Sequence, residues 1–170
     1  MKWIRLFFIL ICIVVQAQAQ DVVYLLVRHA EKDTSQAGAT MMMADPALTV
    51  TGHARAKKLA ELYQKEPIQA LYSSNFQRTK STLAPLAEKK GLQIQTYNHK
   101  ELQALANQLL EIKNGWVVVA GHSNTTPSLV NLLLKEKRFE PFDESNYNTY
   151  FIVRRNKDQF SVEKLEYPPF

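Results

Sequence analysis

Two short runs, Val22–Val27 and Trp116–Ala120, carry an apolar or aromatic residue at every position. Such runs leave no face for water, which is the pattern of a β-strand covered on both sides of its sheet. A strand of that kind needs helices above and below it. Thr51–Lys65 sets Ala54, Leu59, Leu62 and Tyr63 on one helical stripe, and Pro67 closes it. Phe76–Lys90 is helical up to Gly91, and Glu101–Lys113 repeats Leu102, Leu105, Leu109 and Ile112 at three- and four-residue steps. A fourth helix falls near Thr126–Lys135. Further strands are expected at Ile68–Tyr72, Leu92–Thr96, Thr149–Arg154 and Phe160–Leu165. Strands alternating with helices predict an α/β fold, a three-layer α/β/α sandwich around a mostly parallel sheet. Ligands of such sheets bind beyond the carboxyl ends of the strands, near a topological switch. The residues that follow Val27, Tyr72 and Ala120 are therefore the ones to examine.

The start of the chain follows a different rule. Lys2 and Arg5 precede an apolar run, Leu6–Val15, and Ala17-Gln18-Ala19 then gives the small-x-small pattern of a secretory cleavage site. Ten apolar residues fall well short of the roughly 20 that span a bilayer, so no stable membrane anchor is expected. The reading is a cleavable signal peptide over 1–19 and one domain over 20–170, in a secreted or periplasmic protein. Cys12, the only cysteine, leaves with the signal, so the mature chain has no disulfide and relies on its core. Loss of Lys2 and Arg5 lowers the formal charge from +5 to +3, too little to argue for nucleic acid as a partner. A composition of 46% apolar and 22% charged residues excludes a disordered or collagen-like chain.

Beyond the first strand stand Arg28, His29, Ala30, Glu31 and Lys32; beyond the second, Ser73–Thr79 with Arg78; beyond the Trp116 strand, Gly121-His122-Ser123-Asn124-Thr125. Two arginines and two histidines thus share the strand ends with helix amino termini. Guanidinium forks match phosphate oxygens, and free N–H groups at a helix start favour an anion. Two imidazoles among guanidiniums repel a metal cation but suit an oxyanion, so a phosphate site with no metal and no cofactor is expected. A histidine there can take a phosphoryl group as a nucleophile while the arginines hold its equatorial oxygens.

The stretches Arg28-His29-Ala30-Glu31, Ser73-Ser74-x-x-x-Arg78-Thr79-x-x-Thr82 and Gly121–Thr125, in this order, resemble the histidine phosphatase superfamily, the phosphoglycerate-mutase-like proteins of the short phosphatase-type branch. Leu48–Ala60, with Thr49, Gly52 and Leu59, loosely resembles the first helix of that family. The resemblance runs from about residue 22 to 165. It implies His29 as the phosphorylated nucleophile, with Arg28, Arg78 and His122 forming the phosphate pocket and His122 steadying the transition state. Ala30 stands where glycine is most often found. The acid that protonates the leaving oxygen is open: Glu101 lies in the interval where mutase-like members carry a carboxylate, and Glu31 is the second candidate.

His53 and His99 are read as surface histidines, Met41–Met43 as an apolar loop flanking the pocket, and Tyr147–Phe151 as the start of a covering strand. A serine hydrolase is disfavoured because no histidine follows Ser123 to serve as its base. A metallohydrolase is disfavoured because H-E-x-x-H and cysteine pairs are lacking. The expectation is a secreted, metal-independent phosphatase acting on a phosphorylated small molecule or saccharide through phosphohistidine. The alternative is a phosphate- or phosphosugar-binding module of weak turnover on the same fold.

Overall fold

The computed structural model describes residues 21–35 and 45–170; the expected signal peptide and Met41–Met43 lie outside the described residues. The elements follow as β1 (Val22–Arg28), α1 (Val50–Tyr63), β2 (Ile68–Ser74), α2 (Gln77–Lys90), β3 (Ile94–Tyr97), α3 (Leu102–Leu110), β4 (Gly115–Gly121), α4 (Thr125–Leu134), β5 (Thr149–Asn156) and β6 (Gln159–Glu166). All correspond to elements expected from the sequence, with ends shifted by a few residues. The sheet order is β3-β2-β4-β1-β5-β6. The first four strands are parallel, and β5 and β6 run antiparallel at one side. Among the described residues no helix is long and apolar enough to cross a membrane.

β1 shows why the apolar runs are central. All of its residues are buried, and alternate ones enter opposite cores. Val23, Leu25 and Val27 pack with Leu59 and Ala60 of α1 and Leu83 and Leu86 of α2. Val22, Tyr24 and Leu26 pack with Leu105 and Leu109 of α3 and Leu129 and Leu133 of α4. Helices therefore cover the sheet on both faces. The helix after β1 and the helix after the adjacent β4 pack on opposite faces, which opens a crevice between those two strand ends. His29 follows one and His122 the other.

The buried side of α1 differs from the expected stripe. Leu62 is exposed, and Arg55 takes a buried place beside Gly52, Ala56, Leu59 and Tyr63. A charged residue is tolerated there because it is paired. Its Nε and Nη2 reach the Glu31 carboxylate at 3.0 and 2.7 Å, and its Nη1 donates to Asn148 Oδ1 at 3.1 Å. Arg55 thereby ties α1 to the segment behind His29. The Thr49 hydroxyl caps α1 by accepting from Gly52 N, while Thr49 N donates to Glu31 O at 2.9 Å. A Cβ on Gly52 would lie 2.3 Å from Glu31 O, a backbone atom that cannot step aside. Gly52→Ala should destabilise the fold by about 1–3 kcal/mol, the usual range for overpacking, read as a lowered urea midpoint. An unchanged midpoint would show that the α1 start does not fix this segment.

Candidate active site

Arg28 ends β1 with its side chain fully buried. Its Nη1 donates to the carbonyls of Asp143 and Asn146, both at 2.9 Å, and its Nη2 to Glu144 Oε2 at 3.0 Å. The guanidinium lies over the Tyr147 ring, 4.1 Å from its centroid. Arg78, in the first turn of α2, lies over Phe76 at 4.3 Å, with Nη1 3.4 Å from Asp45 Oδ1. The Nε of both arginines is buried with no acceptor among the described residues. Buried donors without partners are costly, and two of them on guanidiniums whose charges both reach His29 are groups that an anion would satisfy.

His29 is buried, and its backbone N–H bonds Gly121 O at 2.9 Å, continuing the β1–β4 ladder. Its Nδ1 lies 2.8 Å from Ala30 O. A carbonyl only accepts, so Nδ1 carries the proton and Nε2 keeps its lone pair. Burial drives the imidazole pKa down to about 2, against the Ala30 bond, with the Arg28 and Arg78 charges adding to the fall. His29 is therefore the neutral, nucleophilic form at pH 7.

His122 stands 5.5 Å from His29 between ring centroids, and its Nε2 is 2.9 Å from Ser74 Oγ. Thr79 Oγ1 donates to the carbonyls of Ser74 and Phe76, so it accepts from Ser74 Oγ at 2.9 Å. Ser74 Oγ in turn accepts from His122 Nε2. The hydroxyl chain fixes the tautomer and leaves Nδ1 unprotonated. Burial first, and then the Arg78 charge, holds His122 down to about 3. Gly121 makes this approach possible, since a Cβ there would sit 2.7 Å from Thr125 Oγ1 and 3.1 Å from the Tyr97 hydroxyl.

A cavity of about 590 Å³ opens over these groups, lined by His29, Arg78 and His122 and walled by Phe76 and Phe142. Lys32 and Lys100 stand at it without a carboxylate within salt-bridge distance among the described residues. Arg28, His29, Arg78 and His122, expected to act together, are thus brought together. The two acid candidates are not. Glu101 is exposed as the residue preceding α3 and does not line the cavity, although its neighbours His99 and Lys100 do. Glu31 is engaged by Arg55. Burial pushes its carboxyl up, but the bonds and charge of Arg55 prevail and hold it below the usual carboxylate range, the wrong direction for an acid.

His99 also departs from expectation. It is half-buried and lines the cavity, edge-on to Phe76 at 5.3 Å and to His122 at 5.7 Å. The short β3 ends just before it and swings its polar loop over the site. Tyr147 lies before β5 rather than in it, 5.9 Å from the His29 ring. His53 is exposed, as expected. Glu144 and the 143–147 loop were not anticipated, because a run of turn-forming residues far along the chain carries no mark of its destination. Among the described residues no cluster of three or more His, Cys, Asp or Glu side chains is disposed to hold a metal ion.

Comparison with known proteins bears on the family and the fold. The family model described as histidine phosphatase superfamily (branch 1) matches residues 24–103, which hold the Arg28-His29 and Arg78 motifs; His122 lies beyond that span. Phosphoserine phosphatase 1 of Hydrogenobacter thermophilus is 37% identical over 70 residues, which are 41% of this chain and 33% of that protein. The chain thus spans only about a third of the length of this relative. Among solved structures, phosphoglycerate mutase from Bacillus anthracis matches with a TM-score of 0.62 at 13% identity, over 87% of this chain and 94% of that one. A mycobacterial glucosyl-3-phosphoglycerate phosphatase matches at 0.57 with 16% identity, over 79% and 90%. These likenesses show a phosphoglycerate-mutase-like fold.

The neutral histidines have a consequence for stability. Each binds a proton in the unfolded chain below its ordinary value of 6.5 and not in the folded one until about 2 or 3. Stability is then fully present above 6.5 and is lost as pH falls, by up to about 1.4 kcal/mol per pH unit per histidine. Urea unfolding at pH 7.5 and 5 should show this loss, and His29→Asn should remove close to half of it. An equal pH dependence in the variant would mean that His29 is not buried in its neutral form.

Proposed function

We infer that this chain, a member of the histidine phosphatase superfamily, is a phosphatase that hydrolyses phosphomonoesters through a phosphohistidine on His29. The observation that carries the reading is a neutral His29, its Nδ1 bonded to Ala30 O, within electrostatic reach of two guanidiniums whose buried Nε–H groups have no acceptor among the described residues. Attack by Nε2 on phosphorus forms the N–P bond, and the electron pair of the breaking P–O bond leaves with the alcohol oxygen. Arg28 and Arg78 hold the equatorial oxygens, where charge spreads in the transition state. Nδ1–H stays bonded to Ala30 O as the ring becomes cationic. Water then attacks the phosphohistidine and returns the electron pair to Nε2.

The guanidiniums can neutralise the phosphoryl charge that a metal would otherwise neutralise, which supports metal-independent turnover. The cavity fits a phosphorylated small molecule or saccharide, with Phe76 and Phe142 beside the carbon skeleton and Lys32 and Lys100 available to further oxygens. The similar proteins include phosphatases of phosphoserine and of glucosyl-3-phosphoglycerate, which is in keeping with a small phosphoester substrate. Export, through the basic and apolar segment at 1–19, is part of the same reading.

The test is hydrolysis of p-nitrophenyl phosphate between pH 4 and 8, with and without EDTA. Turnover should survive EDTA and disappear in His29→Ala; retained turnover in that variant would move the nucleophile elsewhere. Arg78→Ala should raise KM and lower kcat together, because its charge binds both substrate and transition state. An unchanged kcat/KM would remove Arg78 from the pocket. Labelled phosphate accumulating on His29 without release would instead indicate the binding module of weak turnover.

A further inference from the structure

We propose that Glu144 is the general acid of this site, delivering the proton to the leaving oxygen from the loop between α4 and β5. The proposal rests on the phosphatase reading above. Glu144 is the one carboxylate, among the described residues, that lines the cavity. Both its oxygens are placed: Oε2 accepts from Arg28 Nη2 at 3.0 Å, and Oε1 accepts from the Ser123 hydroxyl. Ser123 directly follows His122, and Phe142 N donates to Ser123 O at 2.8 Å, so the loop is pinned to the His122 turn. The side chain is 47% exposed, which gives its carboxyl access to protons from water.

The chemistry follows from sharing one cation. Arg28 holds Glu144 on one Nη2–H and keeps Nε–H without an acceptor among the described residues. A phosphomonoester arriving on Arg28 and Arg78 sets a second anion against the carboxylate. Two anions on one guanidinium favour the uptake of one proton between them, as two adjacent carboxylates share one. Lys32, Arg78 and Tyr147 also feel the Glu144 charge. Ser123 keeps Oε1 occupied, so the proton belongs on Oε2, and the Nη2–H this releases turns to a phosphoryl oxygen.

As the bond from phosphorus to the leaving oxygen breaks, that oxygen takes the electron pair and the Oε2 proton and departs as the alcohol. Glu144 is left as carboxylate, and phosphorus is bonded to His29 Nε2. In the second half, water gives its proton to the Glu144 carboxylate and its oxygen to phosphorus. The N–P pair returns to Nε2, and hydrogen phosphate leaves. The proton taken up with the phosphomonoester is thus back on Glu144 when hydrogen phosphate leaves, and its release restores the ion pair with Arg28.

The experiment compares kcat across aryl phosphates of graded leaving-group basicity, from p-nitrophenyl to phenyl phosphate, for the wild type, Glu144→Gln and His99→Gln. Glutamine keeps an acceptor for Arg28 and a partner for Ser123 but has no acidic proton. Turnover of phenyl phosphate in Glu144→Gln should fall about 10²-fold further than that of p-nitrophenyl phosphate, within the range of a lost general acid. Inorganic phosphate should still inhibit the variant, which shows a folded pocket. An equal fall on all substrates would make Glu144 a clamp for Arg28 alone, and no fall would remove it from the reaction. The graded loss appearing in His99→Gln instead would transfer the role to His99. In each of these cases His29-dependent turnover by the wild type leaves the phosphatase reading standing; its absence would overturn both.

Discussion

The site depends on burying a full positive charge at the end of the central strand. Arg28 closes a run that is otherwise apolar, and a guanidinium there would be prohibitive without partners. The 143–147 loop supplies them: two carbonyls, a carboxylate and an aromatic face. Their demand fixes the path of the chain between α4 and β5, and that path brings Tyr147 beside His29 and Glu144 to the cavity. The antiparallel β5 then continues along the free side of β1. One buried cation thus organises both the binding site and the late part of the fold.

The same crowding sets the state of the histidines. Neither imidazole can afford a proton with Arg28 and Arg78 so near and water so largely excluded. The site's buried positive charge rests on guanidiniums, which cannot give it up, while His29, the proposed nucleophile, stays neutral. In the proposed reaction an arriving phosphoryl group would supply the negative charge that makes a cationic phosphoimidazole tolerable.

The elements were legible because their periodicities are local. The two-faced strands β1 and β4, the leucine steps of α3, Pro67 and Gly91 mark their own positions. The candidate site residues were legible because each lies at or just beyond a strand end: Arg28 closes β1 and His29 follows it, His122 follows β4, and Arg78 is in the first turn of the helix after β2. What escaped were contacts between distant segments. Leu62 suits the α1 stripe as well as any residue, and only the distant partners Glu31 and Asn148 explain why Arg55 is buried instead. His99 sits in a polar loop, and its approach to His122 depends on how β3 pairs with β2. Glu101 was placed by chain order, whereas the fold turns its backbone so that His99 and Lys100 face the cavity.

The closure of Arg28 by carbonyls 115 and 118 residues further along the chain also governs when the site can exist. Nascent or truncated chains that hold His29, Arg78 and His122 but lack the 143–147 loop would have the reactive groups without the clamp.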